Sequence, residues 1–183
     1  VVEVDGKRKG LYEVISLNSD GKELWKGPGL PGVIAMPVFI APDKVFVSSQ
    51  TEAGCLLFQI KFEGDNFKTE ELWKSKNMRN HFNSSVYYNG NIFGFSNATL
   101  ECLDAKTSKR KWRKRGLGKG SLIVVDGKLI VLSDKGKLII ANATADKFQE
   151  LAKTRAMKGK SWTTPTFADG FLYLRNLKEM VCY

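Results

Sequence analysis

The chain has 183 residues, 43% of them hydrophobic and 26% charged, and a formal net charge of +10. That length and apolar content suffice to bury a sizeable core, so one globular unit is expected rather than a solvated tail. The longest apolar stretches, 122–125 and 129–132, are separated by Asp126, Gly127 and Lys128, far short of the ~20 apolar residues that span a bilayer, so no membrane helix is expected.

In chain order, the first strands are expected at about 10–17 and 22–26, the second carrying Lys22-Glu23-Leu24-Trp25. A longer copy follows, with Asp43-Lys44 before Val45-Phe46-Val47 and Glu70-Glu71-Leu72 leading to Trp73. Its polar insertion, Glu63-Gly64-Asp65-Asn66, is expected to extend the outer hairpin. The clearest copy has strands at about 83–88, 91–95, 99–103 and 109–114, with Asn89-Gly90 joining the first two and Trp112 on the last. The next repeats them at 121–125, 128–132, 137–141 and 148–153, with Asp126-Gly127 in the first turn and Leu151 in place of Trp. Asp169-Gly170 before Phe171-Leu172-Tyr173 begins the same pattern again.

Asn-Gly and Asp-Gly between apolar runs mark two-residue hairpins, because both central residues of a type I′ turn need positive φ. Here the marker recurs in fixed phase with the Trp, giving four strands in about forty residues. A sandwich supplies short strands and turns but no such phase; a β-propeller blade supplies both. The only stretch with helical periodicity, 148–156, occupies a fourth-strand position. The expected fold is therefore all-β: a β-propeller of four-stranded antiparallel blades, about three full and two partial. The chain is one propeller segment, 1–183, divided into a partial blade 1–32, blades 33–77, 78–118 and 119–160, and a partial blade 161–183. The two partial blades are expected to belong to different blades of a seven- or eight-bladed ring, so that 22–26 does not pair with 179–183.

The segment Cys102-Leu103-Asp104-Ala105-Lys106-Thr107-Ser108-Lys109-Arg110-Lys111-Trp112 resembles the tryptophan-docking motif of quinoprotein dehydrogenases, A-x-D-x-x-T-G-x-x-x-W. Asp104, Thr107 and Trp112 keep its spacing, while Ser108 replaces its Gly and Cys102 its Ala. The stretch from Ser161 to Tyr173 is similar to the repeats of bacterial quinoprotein-like propellers, and the repeat pattern covers nearly the whole chain. The resemblance implies blades docked through Trp25, Trp73 and Trp112, with Asp104 and Thr107 shaping the turn. Independently of any family, a Trp on an outer strand buries a large apolar ring while its N–H seeks a carbonyl, and Asp and Thr side chains suit turns by bonding nearby backbone N–H groups.

Dehydrogenases of that family hold pyrroloquinoline quinone and calcium, with an Asp as base and often a disulfide between adjacent cysteines. This chain has no adjacent pair: Cys55, Cys102 and Cys182 are odd in number and lack C-x-x-C spacing, which suggests neither a disulfide framework nor a zinc site. No catalytic, cofactor-binding or metal-ligating residue is assigned, and quinone and calcium are expected only under the enzyme alternative. His81 is the only histidine, which excludes chemistry that needs two imidazoles from this chain. It precedes a first strand, where propellers present residues on the face around their central channel. Arg79, Lys119, Lys160 and Trp162 occupy comparable positions, which makes that face the candidate ligand surface, against a reading as ordinary solvated loops.

The basic tract from Lys106 to Lys119 reads either as a site for an acidic partner or, preferentially, as a solvated edge strand charged against unwanted pairing. Asn-x-Ser/Thr triplets at Asn83, Asn97 and Asn142 permit a secreted glycoprotein, although Asn83 is expected on an innermost strand with no room for a glycan. The chain begins at Val1, so any signal peptide is taken to have been removed. The favoured function is a non-catalytic propeller that binds partner proteins outside the cytoplasm, in the periplasm or cell envelope, resembling the scaffold propellers of bacterial outer-membrane assembly. The remaining blades are expected from further sequence or another chain. The first alternative is a fragment of a quinone-dependent alcohol dehydrogenase; the second, polyanion or nucleic-acid binding through the basic tract, is disfavoured because it has no interleaved aromatics.

Overall fold

The computed structural model describes residues 2–4, 7–9, 12–64 and 66–183. Every strand in it pairs antiparallel with its sequence neighbour. Three sheets have four strands: β5 (Val38–Ile40) to β8 (Asn66–Ser75) through β6 (Lys44–Ser48) and β7 (Cys55–Glu63); β9 (Val86–Tyr88), β10 (Asn91–Ser96), β11 (Thr99–Asp104) and β12 (Arg110–Lys114); and β13 (Gly120–Val125), β14 (Lys128–Ser133), β15 (Lys137–Asn142) and β16 (Glu150–Arg155). Before them come two hairpins, β1 (Val2–Val4) with β2 (Lys7–Lys9) and β3 (Glu13–Leu17) with β4 (Glu23–Pro28); after them a three-stranded sheet joins β17 (Thr166–Ala168), β18 (Phe171–Arg175) and β19 (Met180–Cys182).

The turn chemistry decides the register. Asn89, Asp126 and Asp169 have φ of 45°, 46° and 50°, and Gly90, Gly127 and Gly170 following them have 76°, 69° and 82°, the conformation a type I′ hairpin requires. These turns set Asn91 opposite Tyr88, Lys128 opposite Val125 and Phe171 opposite Ala168. β10 and β14 read as continuous apolar runs because neighbouring sheets cover both their faces. Ile92, Phe93 and Phe95 of β10 and Leu129, Val131 and Leu132 of β14 are all buried. Leu103 and Ile92 pack with Phe46 and Leu57 of the preceding sheet, while Phe93, Leu100 and Cys102 pack with Leu122, Val131 and Ile139 of the following one.

The outer strands are tied across the same gaps by indoles. Trp73 Nε1 donates to the Ala105 carbonyl at 2.9 Å, and Trp112 Nε1 to the Thr144 carbonyl at 2.8 Å. Trp112 is 8% exposed and lies between the rings of Phe93 and Phe148, at 5.8 and 5.6 Å. Trp25 meets Phe58 edge-on at 6.0 Å. The turn ahead of Trp112 is closed by Asp104, whose Oδ1 accepts from the backbone N–H groups of Lys106 and Thr107 and from Thr107 Oγ1. Ser108 follows with φ of +58°, a left-handed conformation that a side chain disfavours.

Several boundaries differ from the sequence reading. The start of the first expected strand at Gly10 lies outside the described residues, and β3 is described from Tyr12 onward, beginning at Glu13. The hairpin of β1 and β2, with Val4 opposite Lys7, was not anticipated, so the N-terminal segment holds more than the outer half of a repeat. β9 begins at Val86 rather than Asn83, because Asn80, Asn83 and Ser85 are buried in side-chain hydrogen bonds instead of a ladder. β16 begins at Glu150 because Phe148 is drawn onto Trp112. The insertion lengthens β7 and β8 into a hairpin closed by Glu63 opposite Asn66; Asp65 lies outside the described residues. β4 pairs with β3 and β19 with β18, so among the described residues 22–26 and 179–183 share no ladder.

Trp112→Ala is expected to cost about 3–5 kcal/mol by chemical denaturation, the range for emptying a buried large aromatic site. Leu151→Ala, at the equivalent strand position but 53% exposed, is expected to cost far less, and equal losses at the two positions would contradict this account of the packing. Ser108→Gly is expected to stabilise the chain by about 1 kcal/mol, through relief of the left-handed conformation, read as a raised denaturation midpoint.

Candidate functional site

Three loops enter the inner strands β9, β13 and β17, and buried polar groups fix them to one another. The Asn80 backbone N–H donates to Ser48 Oγ at 2.9 Å, and its side-chain amide donates to the Phe95 carbonyl at 3.1 Å. Ser85 Oγ donates to Asn80 Oδ1 at 3.0 Å, and Asn83 Nδ2 to the Gly120 carbonyl at 2.8 Å. One repeat further, Ser121 Oγ donates to the Thr163 carbonyl at 3.1 Å. Buried polar groups are costly unless paired, so these bonds hold residues 81–82, 119 and 160–162 in a fixed relation.

The residues so held form a basic and aromatic cluster. Phe82 and Trp162 stack with centroids 4.5 Å apart and planes at 27°. His81 lies against the other side of Phe82, ring to ring at 5.1 Å. Lys160 Nζ sits 3.4 Å from the Trp162 centroid, and Lys119 Nζ 6.0 Å from that of Phe82, both within range of the attraction between a cation and a ring quadrupole. Trp162 remains 45% exposed. Of the five residues expected on this face, His81, Lys119, Lys160 and Trp162 come together, whereas the Arg79 guanidinium is engaged by Glu52. Phe82 was missed, although it stands seven residues before Asn89, the offset that Lys119 has from Asp126 and Trp162 from Asp169.

Lys119 Nζ is 2.8 Å from His81 Nδ1. An ammonium only donates, so Nδ1 accepts, the imidazole is neutral and its proton is on Nε2. Burial, and then the Lys119 charge, hold His81 below the ordinary histidine range. Beside the cluster is a cleft of about 440 Å3 lined by Asp134, Lys135, Arg155, Gly159, Lys160 and Trp162. Asp134 Oδ1 is buried and has no hydrogen-bond partner among the described residues. It lies under Gly118, where a Cβ would stand 2.5 Å from that oxygen.

The chemistry available is recognition of an anionic or π-bearing group by stacked rings and flanking cations. Among the described residues no three His, Cys, Asp or Glu side chains converge. Cys55 and Cys102 are buried free thiols pushed up to about 12 by burial, and Cys182 is exposed. The amides of Asn83 and Asn142 donate to Gly120 and Gln149, while Asn97 sits in a turn at φ +53°.

The fold matches solved structures over nearly the whole chain. BamB from Moraxella catarrhalis is similar with a TM-score of 0.68 and 15% identity over 94% of this chain and 51% of that one. The chain folds as β-propeller blades. The computationally designed Ika4 protein matches at TM-score 0.63 and 9% identity, covering 97% of this chain and 98% of that one; the designed Ika8 protein matches at 0.62 and 10%, covering 92% and 53%. The chain thus spans about half the length of the BamB and Ika8 chains. No family model matches it, and no curated protein matches it by sequence.

The single histidine gives one imidazole C–H pair to follow by NMR. Its midpoint is expected below the ordinary histidine range, and Lys119→Met should move it only partway back, because burial, the larger cause, remains. Since the folded pKa is depressed, the fold loses stability as pH falls through the ordinary histidine range. An unshifted midpoint would contradict the neutral, Lys119-bonded imidazole.

Proposed function

We propose that the chain is part of a non-catalytic propeller that binds partner proteins outside the cytoplasm, in the periplasm or cell envelope. The stacked Phe82–Trp162 pair flanked by Lys119 and Lys160 carries this reading. A half-exposed aromatic held rigidly by buried hydrogen bonds and rimmed by cations is the composition of an interface hot spot. A propeller fold alone does not choose a function; the likeness to BamB and the quinoprotein-like docking motif support an envelope scaffold. This chain is taken to hold no quinone or calcium.

The end sheets support a larger ring of seven or eight blades. Phe171, Leu177, Met180 and Tyr183 at the C-terminal sheet, and Tyr12, Ile15 and Leu17 at β3, are large apolar side chains left exposed. Such patches mark surfaces meant to be covered, and further blades, from longer sequence or another chain, are their natural cover.

A photoreactive residue at Thr164, exposed beside Trp162, tests the reading in the native host. A discrete protein adduct is expected, reduced fivefold or more by Trp162→Ala. No discrete adduct, or one indifferent to Trp162→Ala, would overturn it. So would saturable micromolar binding of pyrroloquinoline quinone with calcium, read by quenching of tryptophan fluorescence.

A further inference from the structure

The basic tract divides into two populations. On β12, Arg110 Nε is paired with the buried Glu101 at 3.0 Å and Lys111 with Asp104 at 3.2 Å, so these charges are answered within their own sheet. Lys114 and Arg115, at the end of β12, instead face the next sheet. With Lys137 of β15 and Lys153 and Arg155 of β16 they line a groove of about 480 Å3. Its one carboxylate, Glu150, is engaged by Lys153 at 2.9 Å. Among the described residues Lys114, Arg115, Lys137 and Arg155 form no ion pair. Cations gathered from three strands on two sheets repel one another and raise the local positive potential. A strand charged only to discourage edge pairing needs no such convergence.

The lining narrows the ligand. Ile139 forms a buried floor and Leu117 a half-buried wall, so the groove favours anions carried on a chain that also bears apolar groups. No aromatic side chain lines it, which leaves nucleobases without a stacking platform. We propose that this groove binds an extended acidic peptide segment with an apolar side chain among its acids. The carboxylates pair with Lys114, Arg115, Lys137 and Arg155, and the apolar residue rests on Ile139 and Leu117. This is a second contact surface, on the outer strands, and it does not rest on the role given to Phe82 and Trp162.

The test is fluorescence anisotropy of a labelled peptide alternating Glu and Leu, titrated with the full chain at physiological salt. Saturable binding is expected, weakened tenfold or more by Lys114→Glu with Arg155→Glu and also by the milder pair Arg115→Gln with Lys137→Gln. The charge-matched control Lys74→Glu with Lys76→Glu, at and just beyond the end of β8, should bind as the parent does, as should Trp162→Ala. The proposal is overturned by absence of saturable binding, by equal losses in the groove and control variants, or by equal affinity for the Gln version of the peptide. It is also overturned if duplex DNA or heparin binds more tightly and displaces the peptide.

Discussion

A four-stranded sheet of this length cannot bury its own apolar faces, and everything else in the structure depends on the contact that solves this: the second strand of each four-stranded sheet, β6, β10 and β14, packed between two neighbouring sheets. The indole bonds show how regular the contact is. Trp73 reaches Ala105 and Trp112 reaches Thr144 across the same 32-residue separation. Each bond satisfies a donor that burial would otherwise strand, and each fixes one outer strand against the turn of the next repeat. Where the long β7–β8 hairpin intervenes, Trp25 meets Phe58 by ring contact instead.

The same contact places the candidate site. Inner-strand loops are brought together because the sheets behind them are stacked, and their separations are then fixed by Asn80, Asn83, Ser85 and Ser121 rather than by the loops' own conformations. Recognition chemistry on such a face needs little further preorganisation, because the costs of ordering side chains are met before any ligand arrives. The basic groove arises from the same stacking further out, where the end of β12 and the strands β15 and β16 converge.

Much of this was legible in the residues. The Asn89-Gly90, Asp126-Gly127 and Asp169-Gly170 turns have the positive φ values their residue types demand, and the strands on either side lie within a few residues of where periodicity put them. The hairpin of β1 and β2 escaped notice because Asp5-Gly6 is followed by Lys7-Arg8-Lys9, with none of the apolar run that strengthens the other copies. Sequence periodicity places Asn83 in a strand because it does not register a buried polar side chain that replaces a ladder bond. The face residues were found by their phase in the repeat, which is why Arg79 was included: phase locates a Cα but does not reveal that Glu52 will claim the guanidinium. Phe82 shares that phase, seven residues before Asn89 as Lys119 is before Asp126 and Trp162 before Asp169, but phase does not reveal that its ring will stack on Trp162.

Because each sheet leans on its neighbours, the described sheets are coupled like a row of dominoes. Trp162 stands at the entrance to the sheet of β17 to β19, while Phe82 is rooted two repeats earlier. Their stack is a strap that skips one domino, so a ligand clamped across both rings would make recognition at the face and cohesion between repeats one equilibrium.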